Sequence, residues 1–217
     1  MKKKNNKSKL KIKNWILILI GLIITTLIIY FIIFVIINKK VDINDNKIDN
    51  TVEKIDQMNN YEYYLDENAT EYYKQLYNEL KDVLNGENLI DEEYAKVISK
   101  LFVTDLFTLE NKITSSDIGG LQFIFAGFKE DFVNIAKTTL YSSVKSNIYG
   151  DRKQELPIVT NVEINSIESS SFTYQNNEYS SYNTVLNITY QKDLGYPTKY
   201  NLVLVKNDKY WQVVLGE

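Results

Sequence analysis

Apolar and polar positions divide the chain into four zones. From Trp15 to Asn38 it reads WILILIGLIITTLIIYFIIFVIIN, 24 positions without a charged residue. As a helix that stretch spans ~36 Å, enough to cross a hydrocarbon core of about 30 Å with some tilt, so the pattern predicts a transmembrane helix over residues 15–38. It is longer than the apolar region of a secretory signal, and no small-residue cleavage site follows it; a retained anchor is expected rather than a cleaved leader. Residues 39–60 are polar and acidic and read as a stalk. Ile48, Val52 and Ile55 share one helical face there, but fewer than two heptads do not make a coiled coil.

Helical spacing governs the next zone. In YEYYLDENATEYYKQLYNELKDVLNG, residues 61–86, Leu65, Ala69, Tyr72, Tyr73, Leu76, Leu80, Val83 and Leu84 form one stripe, and Gly86 stands where a helix ends. The six tyrosines between Tyr61 and Tyr77 read as core rather than as a carbohydrate- or peptide-binding platform, since an amphipathic helix buries several of them. A second helix opens at Asp91, with Glu92 and Glu93 at the positive end of its dipole, and turns Tyr94, Val97, Ile98, Leu101, Phe102 and Leu106 inward. A third and longest helix is expected from Leu121 to Ile148, with Ile124, Phe125, Phe128, Phe132, Ile135, Ala136, Leu140 and Val144 on its stripe and Gly150 at its C-cap. Ahead of it lies TSSDIGG, in which Ser116 or Asp117 caps the helix and Gly119 and Gly120 let the chain turn tightly. The glycines lack the G-x-x-x-x-G-K-[ST] spacing of a phosphate loop, although backbone N–H groups at such a helix start can meet an anion or a partner's carboxylate.

After Pro157 the period changes from helical to alternating. IVTNVEINSIESSSFTY, SSYNTVLNITYQK, KYNLVLVK and KYWQVVLG are rich in β-branched and aromatic residues, and Tyr182, Leu186, Ile188 and Tyr190 fall on one face. QNNE, DLGYP and the Asn207-Asp208 pair separate them as turns. The pattern as a whole predicts an α+β protein: an N-terminal transmembrane helix, then three helices packed on one face of a four-stranded antiparallel sheet.

Charge orients this arrangement. Residues 1–14 hold seven lysines and no acid; nine of the 25 basic residues precede residue 41 but none of the 28 acidic ones, leaving 16 against 28, or −12, beyond it. Basic residues stay on the cytoplasmic side, so 1–14 is expected to be a cytoplasmic tail and 61–217 an extracellular domain. A body this acidic argues against nucleic acid as a partner, because phosphate binding depends on clustered Lys and Arg. The chain has no histidine and no cysteine, which removes imidazole bases, thiol nucleophiles, disulfides and the usual zinc sites. No catalytic residue, cofactor or metal is expected. The one calcium-like pattern, Asp42, Asn44, Asn46 and Glu53, has Lys47 where the loop needs glycine.

The order of elements, three helices and then a sheet closing on LVLVKNDKYWQVV, resembles the nuclear transport factor 2-like superfamily of cone-shaped α+β domains over residues 61–217. The layout of basic tail, single membrane helix and outer domain is similar to the assembly-factor subunits of bacterial type IV secretion and conjugation systems. What the resemblance implies is a curled sheet and a membrane-anchored module that binds other envelope proteins and itself. The alternative it implies is a small-molecule-binding or enzymatic cone domain, with a pocket between the third helix and the sheet. Asp117, Gly119, Gly120, Phe128, Tyr182 and Trp211 are the candidate pocket or partner-contact residues.

Overall fold

The computed structural model describes residues 54–58 and 60–216, all within the unit Asn50–Glu217. The expected transmembrane segment and the calcium-like pattern lie outside the described residues. No helix among the described residues is long and apolar enough to cross a membrane.

Strand rather than helix opens the domain. β1 (Lys54–Met58) and β2 (Tyr63–Asp66) form an antiparallel hairpin, so the end of the expected stalk and the start of the expected first helix are both extended. Alternation explains the change: Tyr63 and Leu65 are buried while Tyr64 and Asp66 are only half-buried, a period of two that a helix would scatter. The Tyr63 and Tyr94 hydroxyls meet at 2.7 Å, and Tyr77 donates to the Tyr63 carbonyl at 3.0 Å. Helix α1 (Glu71–Asn85) therefore starts later than expected, capped by Thr70, whose hydroxyl accepts from the Tyr73 N–H. Tyr73, Leu76, Tyr77 and Leu80 are its buried side, and Tyr61, Tyr64 and Tyr72 are partly buried, as the core reading of the tyrosines expects.

Helix α2 (Asp91–Phe107) is the longest among the described residues, and 11 of its 17 residues are buried, which makes it the central helix of the layer. Asp91 does not cap it; its carboxylate instead accepts from Lys206 and Trp211 of the sheet. The expected long third helix is not there. Its span holds two single 3₁₀ turns, Leu121–Phe123 and Ala126–Phe128, then helix α3 (Lys129–Thr138), then turns. The sheet wins the competition for this segment's backbone: Ile124 bridges to Val213, and the Phe125 N–H donates to the Val213 carbonyl at 3.0 Å. Gly150, expected at a helix C-cap, sits in a turn with φ +70°.

The four expected strands are present as β3 (Val159–Tyr174), β4 (Asn177–Tyr190), β5 (Lys199–Asn207) and β6 (Tyr210–Gly216), antiparallel in the order β3-β4-β5-β6. Val162, Leu186, Ile188, Leu202, Leu204, Trp211 and Val213 join the helices in one core. The domain is α+β, with three helices and a four-stranded antiparallel sheet. Bulges in β3 at Val159/Asn161 and Ile164/Ser166 bend the long hairpin, and aromatic residues near its tip, Phe172, Tyr174 and Tyr179, pack on Phe125 and Phe128. This brings the hairpin tip beside the segment that leads into α3.

Candidate functional site

The glycine turn is locked from inside. The Gly119 N–H donates to the Tyr141 hydroxyl at 2.9 Å, and that hydroxyl donates to the Leu106 carbonyl at 2.8 Å. The Gly120 N–H donates to one oxygen of Asp105 at 2.6 Å, while the other oxygen holds the Lys112 ammonium at 2.5 Å. Both glycine N–H groups thus have internal acceptors, so the turn does not present them to an anion. Asp117 is not a helix cap either, since its carboxylate accepts from the Ile113 N–H four residues earlier. Burial works against the Lys112 charge, but the Asp105 carboxylate outweighs it and holds the lysine above its usual pKa. Burial likewise raises the Tyr141 phenol, which keeps its proton for Leu106.

Glycine is required at both positions. A Cβ on Gly119 would strike the Asp105 backbone carbonyl, and one on Gly120, where φ is +79°, would lie 2.7 Å from the Phe102 ring. Behind the turn is a polar chamber of about 20 Å³ lined by residues that include Asp66, Thr104, Asp105, Asn111 and Lys112. The Thr104 hydroxyl and the Asn111 side-chain oxygen are buried there without partners among the described residues, and the volume matches a single water. Burial, helped by the charge of Asp105, raises Asp66 to about 6.

On the other side of Phe102 lies the feature that suits recognition. A cleft of about 520 Å³ opens between α2, α3 and strands β5 and β6, walled by Phe102, Phe107, Phe128, Phe132, Tyr200 and Val213. Ile135, 62% exposed, stands on its rim. Among the described residues Asp131 is the one charged side chain in the lining. The short α3 creates this opening: a helix continuous from Leu121 would have no reason to leave Ile124 and Phe125 on β6 with Phe128 facing the gap. The lining is mostly apolar, which suits the cleft to burying apolar groups.

The six candidate residues therefore fall into three places. Asp117, Gly119 and Gly120 build the locked turn, Phe128 walls the cleft, and Tyr182 and Trp211 pack against each other with tilted rings whose centres are 4.7 Å apart. The Trp211 indole N–H points to Asp91 at 3.3 Å, away from the cleft-lining set. The turn reaches the cleft indirectly, through the Phe102 ring against which Gly120 packs and through Leu106, whose carbonyl accepts from the Tyr141 hydroxyl. Tyr200, Phe107 and Val213 escaped the sequence reading as cleft residues: Tyr200 and Val213 lie on strands and Phe107 ends helix α2, and only the position of α3 brings them together as walls of one cleft. Compared with known family models, curated proteins and solved structures, the chain matches none.

Proposed function

We propose that this chain is a single-pass membrane protein, N-terminus in the cytoplasm, whose extracellular domain is a protein-binding module of an envelope assembly such as a secretion or conjugation apparatus. The observation that carries the reading is the aromatic cleft with exposed Ile135 on its rim: an open apolar surface gains free energy when a partner's apolar side chains cover it. The apolar segment 15–38 and the lysines ahead of it support the anchor and its direction. Three helices against a four-stranded antiparallel sheet, with the cleft between the third helix and the sheet, support the cone-shaped assignment.

A second reading, an apolar small molecule in the same cleft, is favoured by the cleft volume, which falls in the range of roughly 300–1,000 Å³ typical of ligand pockets. One substitution separates the two. Ile135→Glu places a charge on the rim while leaving the deep wall of Phe102 and Phe107 unchanged. If the cleft docks a protein, the variant loses the partner that copurifies with the wild-type chain from native membranes. If it holds a small apolar molecule, the partner persists, and native mass spectrometry of the wild-type chain shows a bound species of low mass. External protease acting on intact cells tests the topology: residues 61–217 should be digested and the lysine tail spared.

A further inference from the structure

We infer that the free edge of β3 pairs with the same edge of a second copy, joining two four-stranded sheets into one of eight strands. The two edges of the sheet differ. That of β6 is met by Ile124 and by the Phe125 N–H. β3 pairs with β4 alone, and among the described residues nothing pairs with its far side beyond Val162, where the Tyr72 hydroxyl accepts from the N–H at 2.8 Å and approaches the carbonyl at 3.3 Å. The inference is independent of the cleft, which lies at β5 and β6.

Tyr72 also fixes the phase of the strand. The Val162 N–H points outward, and its partner Ile188 turns its own N–H away to Thr198. Following the register through the bulge at Ile164/Ser166 places the outward backbone groups at Ile167, Ser169, Ser171 and Thr173. Proteins blunt such edges with lysine, proline or a covering element. The run from Ser166 to Tyr174, SIESSSFTY, has no lysine, no proline and one charge, and its three consecutive serines are exposed.

The run is self-complementary when centred on Ser170. Antiparallel pairing then sets Ile167 against Thr173, Glu168 against Phe172 and Ser169 against Ser171, and the two Glu168 carboxylates stand far apart. Centring on Glu168 would place them face to face, at a cost in stability. Ser170 meets its own copy as a non-hydrogen-bonded pair, with Cα atoms about 4.5 Å apart.

The absence of cysteine makes the test clean. Ser170→Cys, treated with copper phenanthroline in native membranes, should form a covalent dimer, because a separation of ~4.5 Å suits a disulfide. Ser169→Cys alone should not, since its own copy lies roughly 8 Å away across the paired strands. Coexpressed Ser169→Cys and Ser171→Cys chains should crosslink to each other. Adding Ser169→Pro, which removes an outward N–H, should abolish the Ser170→Cys dimer while leaving the thermal unfolding of the chain in place. The inference is overturned if Ser170→Cys stays monomeric, if all three single-cysteine variants crosslink alike, or if the dimer survives Ser169→Pro. A partner-copurification result at Ile135 bears on the cleft alone, so either idea can fail without the other.

Discussion

Lys112→Met examines the lock behind the glycine turn. The Lys112 side chain is 7% exposed and that of Asp105 23%, with 2.5 Å between them. Removing one partner of a fully buried ion pair costs ~3–5 kcal/mol, because a charge is left without compensation. Asp105 retains its bond from the Gly120 N–H and some contact with solvent, which places the expected loss at the lower end, about 3 kcal/mol. That is a large part of the ~5–15 kcal/mol that holds an ordinary domain folded. Asp105→Asn in the same chain removes the stranded charge and keeps an acceptor for Gly120, so the double variant should recover more than half of the loss. Urea unfolding of the purified full-length chain in mild detergent, followed by the fluorescence of buried Trp211, reads both quantities. A loss below ~0.5 kcal/mol for Lys112→Met, within the range of surface changes, would refute the reasoning. So would a double variant whose loss equals the sum of the single ones, the signature of two independent sites.

Other consequences are equally measurable. Gly119→Ala should lower the melting temperature more than Gly120→Ala, because the first meets a backbone carbonyl that cannot swing aside and the second a ring that can; equal effects would mean the turn shifts as a body. Asp66, raised to about 6 in the folded chain against an ordinary value of about 3.9, contributes stability that is fully present below pH ~4 and is lost as the pH rises through ~6. Asp66→Asn should therefore flatten the dependence of melting temperature on pH between 4 and 7 and raise the value at pH 7.5; an unchanged profile would remove Asp66 as its source. Tyr72→Phe leaves the Val162 N–H without its acceptor and should cost about 1–3 kcal/mol in the same urea assay, with a neutral result showing that solvent replaces the hydroxyl.

Strand alternation after Pro157 and the apolar spacing of α2 were legible because both depend on local pattern, and the strand limits agree closely with those expected. The third helix was not. Its stripe from Leu121 to Val144 has helical period, yet the N–H of Phe125 is claimed by Val213, almost ninety residues away, and Gly127 lies where a Cβ would come 2.8 Å from the Tyr174 hydroxyl. Contacts of that range leave no trace in a local window. The β1–β2 hairpin was hidden for another reason: its strands are only five and four residues long, and the burial of Tyr63 and Leu65 in the core is what makes their alternation visible. Of the candidate site, Phe128 was readable as an apolar position; that it walls a cleft follows from the shortness of α3. The turn was recognised as structural, but its ion pair was not, since Lys112 and Asp105 look like ordinary surface charges until the fold encloses them.

We propose that the folded domain grips a protein partner through the cleft. The most direct test is a photocrosslinking amino acid at Ile135 in the full-length chain in native membranes, compared with the same probe at exposed Lys153, outside the cleft lining. A docked partner should give a discrete protein adduct from Ile135 that is absent from Lys153 and lost when Phe132 is replaced by Ser. An Ile135 probe that yields no protein adduct, or only what Lys153 yields, would contradict it.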